Sequence, residues 1–262
     1  MSLTKALDRI NAEYGRDTVS FAASGRKRRW GLRSERRSQR FTTDWDELLK
    51  GGLRALGHSK GEPVVNIEIL EEELDHLPAH GQISIAFEVR SILDLTLTDS
   101  GLGGFVLRER QLTSAYVKDY DGIDGNRPCE WGQRFDIANW ALLSAWIDGR
   151  RAGGVVIAFK TQDLDVLERR QDLAVIWDLR VAPDLRGRGI GRALFAAAEA
   201  WAKARMCKQL KVETQNVNVA ACRFYLHRGC ILRAAYRGAY PGFPDEIQLL
   251  WFKDLPPREE AA

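Results

Sequence analysis

The stretch Trp177-Asp178-Leu179-Arg180-Val181-Ala182-Pro183-Asp184-Leu185-Arg186-Gly187-Arg188-Gly189-Ile190-Gly191-Arg192-Ala193-Leu194 has residue types and spacing suited to holding an anion. An apolar run feeds a glycine-rich turn that opens directly into a helical pattern. At such a junction the first backbone N–H groups of the helix have no partner within it, and the positive end of the helix dipole points the same way. Gly187, Gly189 and Gly191 let the chain bend sharply and bring its backbone close to a ligand. Arg186, Arg188 and Arg192 add charge that matches a pyrophosphate. The glycine spacing is G-x-G-x-G rather than G-x-G-x-x-G, and no Gly-Lys-Ser/Thr follows, so neither a dinucleotide nor a nucleoside triphosphate is expected. Upstream, Asp119, Asp121, Asp124, Glu130 and Asp136 fall within eighteen positions, an acidic stretch that would attract a polycation.

Strands and helices must position these groups. Apolar residues at Ile83, Ile85, Phe87 and Val89 alternate with polar or small ones, which predicts a strand with one buried face. Further strands are predicted over 64–70, 105–120, 140–147, 154–159, 174–181, 209–213, 231–237 and 246–252, with residues 148–153 as a hairpin connection. Ile190, Leu194, Ala197, Ala198 and Trp201 form one apolar stripe on a helix over 190–206. A second helix over 218–227 has Asn218 as its N-cap and Gly229 as its stop. The expected class is α+β: a mixed, mostly antiparallel sheet flanked by helices, in one domain over residues 61–262. Residues 1–60 read as a short basic N-terminal extension. They carry 14 Lys+Arg and 7 Asp+Glu, a net of +7, while the rest carries 25 and 29, a net of −4. Within the extension, Leu3, Ala6, Leu7 and Ile10 predict one short amphipathic helix, and Trp45, Leu48 and Leu49 a second.

Composition removes several classes. With 262 residues, 45% hydrophobic and 29% charged, the chain is neither collagenous nor globally disordered. Its longest apolar runs, 140–147 and 193–198, fall far short of the ~20 residues of a membrane span. The first ten residues interrupt their apolar positions with charge and lack a signal-peptide core, so no membrane association and a cytoplasmic location are expected. Cys129, Cys207, Cys222 and Cys230 form no C-x-x-C pair and are expected reduced. His76 and His80 have H-x3-H spacing but no cysteine companion, and Pro78 lies between them, so no metal is expected.

The segment Arg186-Gly-Arg-Gly189-Ile-Gly191 resembles the R-x-x-G-x-G/A pyrophosphate loop of GCN5-related N-acetyltransferases, the GNAT superfamily. Leu210-Lys-Val-Glu213-Thr214-Gln215-Asn-Val-Asn218-Val-Ala220-Ala221-Cys-Arg-Phe224-Tyr225-Leu-His-Arg-Gly229 resembles its second signature, a strand at a splayed gap followed by a helix bearing a tyrosine. Glu213-Thr-Gln-x-x-Asn-Val-x-Ala-Cys, Phe87-Glu-Val with Asp94, Leu95 and Asp99, Tyr116-Val-Lys-Asp-Tyr120, and Asp245-Glu246-x-x-x-x-Trp251 are similar to streptothricin acetyltransferases, over residues 80–254. Where those enzymes often place a Glu on the strand, this chain has Trp177 followed by Asp178. Lys5 to Val19, Trp30-Gly-Leu-Arg33 and Arg40 to Leu48 resemble the C-terminal tail of UmuC-type Y-family DNA polymerases.

The resemblance implies the GNAT fold, with its sheet splayed at the cofactor site, and acetyl-CoA as acyl donor with no metal. It implies that Leu179, Arg180, Val181, Arg186, Gly187, Arg188, Gly189, Ile190, Gly191, Arg192, Asn218, Ala221 and Tyr225 bind the cofactor. Tyr225 matches the residue that protonates the departing thiolate. An alkyl amine with a pKa of ~10.4 must lose a proton before it attacks, so a base or relay is needed. Strand alternation places Asp178 on the face with Ile176 and Arg180, which makes it the first candidate base, ahead of Glu213 and Glu246. The expected acceptor is a primary amine of a cationic small molecule of the streptothricin type, held by Tyr116, Asp119, Tyr120, Asp136, Glu213, Tyr240 and Glu246. Other readings are an aminoglycoside, a polyamine or a protein lysine as acceptor, or a DNA- or repair-protein-binding module built on residues 1–60. A homodimer or a monomer is expected.

Overall fold

The computed structural model describes residues 66–256. The two helices expected from Leu3 and Asp44 and the basic cluster around Arg26–Arg29 lie outside the described residues. Among the described residues nine strands form, as β1 (Glu68–Glu72), β2 (Phe87–Leu97), β3 (Phe105–Lys118), β4 (Ala141–Ile147), β5 (Arg150–Phe159), β6 (Leu173–Val181), β7 (Gln209–Gln215), β8 (Ile231–Arg237) and β9 (Ile247–Asp254). The helices are α1 (Leu77–His80), α2 (Trp131–Arg134), α3 (Ile190–Ala204) and α4 (Val219–His227). Seven strands make one sheet in the order β1-β4-β5-β6-β7-β9-β8, antiparallel throughout except for β6 beside β7. β2 and β3 pair only with each other, as a separate two-stranded sheet. That separates them from the single sheet expected.

Period-two patterning explains the layers. On β5, Val155 and Ile157 pack into one core cluster with Ile190, Leu194, Phe195 and Ala198 of α3 and Cys222 and Tyr225 of α4. Val156 and Ala158 point the other way, into a cluster with Leu77 of α1, Trp131 of α2, Trp140 and Leu142. Each Val, Leu, Ile or Phe among them contributes ~1.5–3 kcal/mol through burial. The β4–β5 connection is tighter than expected, a two-residue turn at Asp148 and Gly149 with φ of 49° and 74°. Positive φ at both positions matches the right-handed strand twist. α3 ends at Ala204, with Met206 already outside it. Among the described residues no helix is long and apolar enough to cross a membrane.

Candidate active site

The site begins where the sheet comes apart. β6 pairs in parallel with β7 only from Leu173↔Gln209 to Ile176↔Val212. Beyond that, β6 stays with β5 as far as Val181↔Gly153, and β7 stays with β9 as far as Gln215↔Gln248. The β7-facing backbone of residues 177–181 therefore lacks a ladder partner. A cleft of about 760 Å³ fills this gap.

One end of the cleft is the turn before α3. Gly187 and Gly189 have φ of 81° and 85°, and Gly189 is the N-cap of α3 with no side-chain cap on the helix. The first N–H groups of α3 are thus left to an outside acceptor. Leu179, Arg180, Val181, Arg186, Gly187, Gly189, Ile190, Gly191, Arg192, Asn218, Ala221 and Tyr225 all line this one cleft, whereas Arg188 does not. An open helix terminus beside a splayed pair of strands fits the pyrophosphate and the extended arm of acetyl-CoA. Two of the expected contacts are indirect. Arg186 donates to the carbonyls of Val181, Ser84 and Ala86, and Asn218 Oδ1 accepts from the Ala221 N–H at 3.1 Å as a helix cap.

Tyr225 on α4 reaches the cleft from the helix side and is only 7% exposed. Burial, and then the nearby Asp178 carboxylate, push its phenol well above the ordinary value, so it holds its proton at any working pH. Cys222, buried on the same helix, is likewise pushed up by burial, to about 11. Such a thiol is not a nucleophile near neutrality.

Asp178 sits differently from the expectation. The β5–β6 register slips between Val156↔Asp178 and Ile157↔Ile176, which leaves Trp177 as a bulge. Ile176 therefore packs with the α3 cluster, Trp177 packs against Trp131, Phe135 and Trp140, and Leu179 and Val181 return to the α3 cluster. The bulge flips the phase, so Asp178 and Arg180 share a face with each other but not with Ile176. Arg180 Nε and Nη2 donate to Asp178 Oδ1 and Oδ2 at 2.9 and 2.7 Å, and His80 Nε2 lies 2.8 Å from Oδ1. Burial alone would raise the Asp178 carboxyl, but hydrogen bonds from Arg180 and His80 outweigh it and hold the group well below the usual carboxylate range. A carboxylate so firmly ionised has little affinity for a substrate proton, which argues against Asp178 as the base. The Arg180 side chain is committed to Asp178, Asp121 and the Ile83 carbonyl, and only its main chain is free to meet a cofactor.

The opposite end of the cleft is aromatic and acidic, lined by Phe87, Tyr120, Trp131, Trp177, Tyr240, Phe243, Glu213 and Glu246. Tyr240 Oη donates to Glu213 Oε1 at 2.7 Å and Gln248 Nε2 to Oε2 at 2.8 Å. Glu246 is paired with Lys118 Nζ at 2.5 Å and accepts from Tyr120 Oη at 3.0 Å. Lys118 also lies 3.3 Å from the Phe243 ring centroid. Of the expected acceptor residues, Tyr120, Glu213, Tyr240 and Glu246 are brought together. Tyr116, Asp119 and Asp136 stay outside the cleft. Asp119 caps the Asp121 N–H at 3.0 Å and Asp136 the Ala138 N–H at 3.0 Å, so these carboxylates shape loops instead. His80, Lys118, Trp131 and Phe243 were not foreseen. Nothing local in the sequence marks His80, Lys118 and Phe243 as site residues, since their partners lie far along the chain, whereas Trp131 bonds to Asn126 five positions away. Among the described residues no group of three His, Cys, Asp or Glu could hold a metal ion.

Comparison with known proteins agrees with this geometry. Residues 110–230 match the acetyltransferase (GNAT) family, and residues 1–50 match a family described as a domain of unknown function, DUF4113. Streptothricin acetyltransferase A of Bacillus subtilis (strain 168) is 40% identical over 81 residues, 30% of this chain, and the match spans only 47% of that protein. Streptothricin acetyltransferase of Escherichia coli is 28% identical over 63% of this chain and 84% of its own length. A Bacillus anthracis (strain Ames) protein solved in complex with acetyl coenzyme A superposes with a TM-score of 0.56 and 25% identity, over 72% of this chain and 99% of that one.

Proposed function

We propose that this chain, which carries an acetyltransferase domain of the GNAT family in the GNAT fold, moves an acetyl group from acetyl-CoA to a primary amine of a cationic small molecule of the streptothricin type. The observation that carries this reading is the two-ended cleft. An unfilled helix terminus at Gly189–Arg192 stands at one end, and Glu213 and Glu246 among aromatic rings stand at the other. Carboxylates and ring faces attract ammonium groups. The names of the Bacillus subtilis and Escherichia coli relatives support streptothricin over other amines.

Bound acetyl-CoA supplies an activated acetyl thioester. The α3 terminus and Arg192 hold its pyrophosphate, and the unpaired N–H groups of residues 177–181 polarise the carbonyl oxygen. Glu213, hydrogen-bonded only by the neutral Tyr240 and Gln248 groups, receives the proton of the attacking amine directly or through a water. Tyr225 gives its proton to the departing sulfur. The test is mass spectrometry of streptothricin incubated with the protein and acetyl-CoA, beside kanamycin and a histone-tail peptide. One acetyl group added to streptothricin is expected; acetylation of either competitor alone would discard the substrate assignment.

A further inference from the structure

The Arg180 side chain is 1% exposed and uses every N–H it has. Nε and one Nη2 proton go to Asp178, at 2.9 and 2.7 Å. Nη1 donates to the Ile83 carbonyl at 3.0 Å and to Asp121 Oδ2 at 2.9 Å, and Nη2 also reaches Asp121 Oδ1 at 3.2 Å. One planar guanidinium therefore ties the bulged part of β6 to a carboxylate fifty-nine positions away. Asp121 belongs to a segment that is bonded tightly to itself. Asn126 Nδ2 donates to the Tyr120 carbonyl at 3.0 Å, Trp131 Nε1 to the Asn126 carbonyl at 3.0 Å, and Arg127 Nε to the Asp121 carbonyl at 3.1 Å. That segment supplies Tyr120, Ile123, Asn126 and Trp131 to the acceptor end of the cleft. The residues flanking Arg180, Leu179 and Val181, line the cleft along the splayed strand.

We propose that Arg180 is a positioning residue for the acceptor, fixing residues 119–131 against the splayed strand through its bidentate bond to Asp121. The inference rests on the amine-acetylation reading above. A bidentate guanidinium–carboxylate pair sets orientation as well as distance. His80, buried completely and 2.8 Å from Asp178, keeps the far carboxylate in place, so Arg180 has one orientation available. Docking the segment before the amine arrives removes its ordering cost from binding. Asp121 therefore acts on acceptor affinity without touching either substrate.

The experiment compares the full-length chain with its Asp121→Asn and Asp121→Glu variants. Three quantities are read: hydrogen exchange of peptides covering 119–131, acetyl-CoA affinity by calorimetry, and steady-state constants with the amine. For Asp121→Asn we expect exchange at least tenfold faster, confined to 119–131. The KM for the amine should rise at least tenfold, while kcat and acetyl-CoA affinity stay within about twofold. Asp121→Glu, which keeps the charge, should recover most of the protection. Unchanged exchange in 119–131, or acetyl-CoA affinity falling in parallel with the amine, overturns the proposal. If the unmodified protein acetylates no amine, the functional reading fails, and exchange with calorimetry still decides whether Arg180 positions the segment.

Discussion

Tyr225 and Asp178 are both buried polar residues at the cleft, and they carry different predictions. Tyr225 is buried, un-ionised and beside the gap, so replacing it with Phe removes a proton and little volume. Turnover should fall about 10²- to 10⁴-fold, the range for a positioned acid, with acetyl-CoA affinity unchanged by calorimetry. Normal turnover at saturating cofactor would remove its assigned role. Asp178 makes a prediction about stability. Its folded pKa lies below the unfolded value of ~3.9, so its contribution is complete above about pH 4 and is lost as pH falls through the folded pKa. Asp178→Asn should cost ~1–3 kcal/mol at pH 7, because Arg180 loses one of its two carboxylates while keeping Asp121. The variant should also lose stability less steeply below pH 4 than the parent in urea melts; parallel acid limbs would contradict this. Tyr225 was singled out through the resemblance of its helix to the family's second signature, and the structure places it on the cleft wall. The partners of Asp178 were not legible. His80 is 98 positions away, and the Trp177 bulge breaks the alternation from which its face was read.

At the scale of elements, the turn into α3 follows closely from sequence, because few residues other than glycine tolerate its backbone. Gly189 has φ of 85°, where a β-branched side chain costs at least ~1–2 kcal/mol. Gly189→Val should therefore lower the melting temperature by a few degrees and weaken acetyl-CoA binding at least tenfold in calorimetry. Full affinity in a folded variant would separate this turn from cofactor binding. The strands of the main sheet were legible within a few residues from their apolar runs. Two features were not. The pairing of β2 with β3 alone depends on contacts between whole strands, and no local pattern states which neighbour a strand will choose. The acidic stretch 119–136 read as a substrate surface, yet its carboxylates are used on backbone N–H groups and on Arg180. Charge counting alone cannot tell a loop that binds from a loop that folds on itself.

Across the described residues as a whole, the cleft crosses the sheet. The cleft is lined by Phe224 and Tyr225 on the α3–α4 side and by Trp131, Trp177 and Val166 on the other, so the gap between β6 and β7 runs through the layer. On the reading proposed above, the coenzyme and the amine would approach from opposite faces of the sheet, and both would be present together for transfer. Initial rates measured against one substrate at several fixed levels of the other should give intersecting reciprocal plots, and each product alone should inhibit competitively against its own parent. Parallel plots would mean a covalently stored acetyl group, for which the raised Cys222 offers no acceptor. The short parallel pairing of β6 with β7, only four residue pairs long, leaves the gap in which, on this reading, the two substrates would meet.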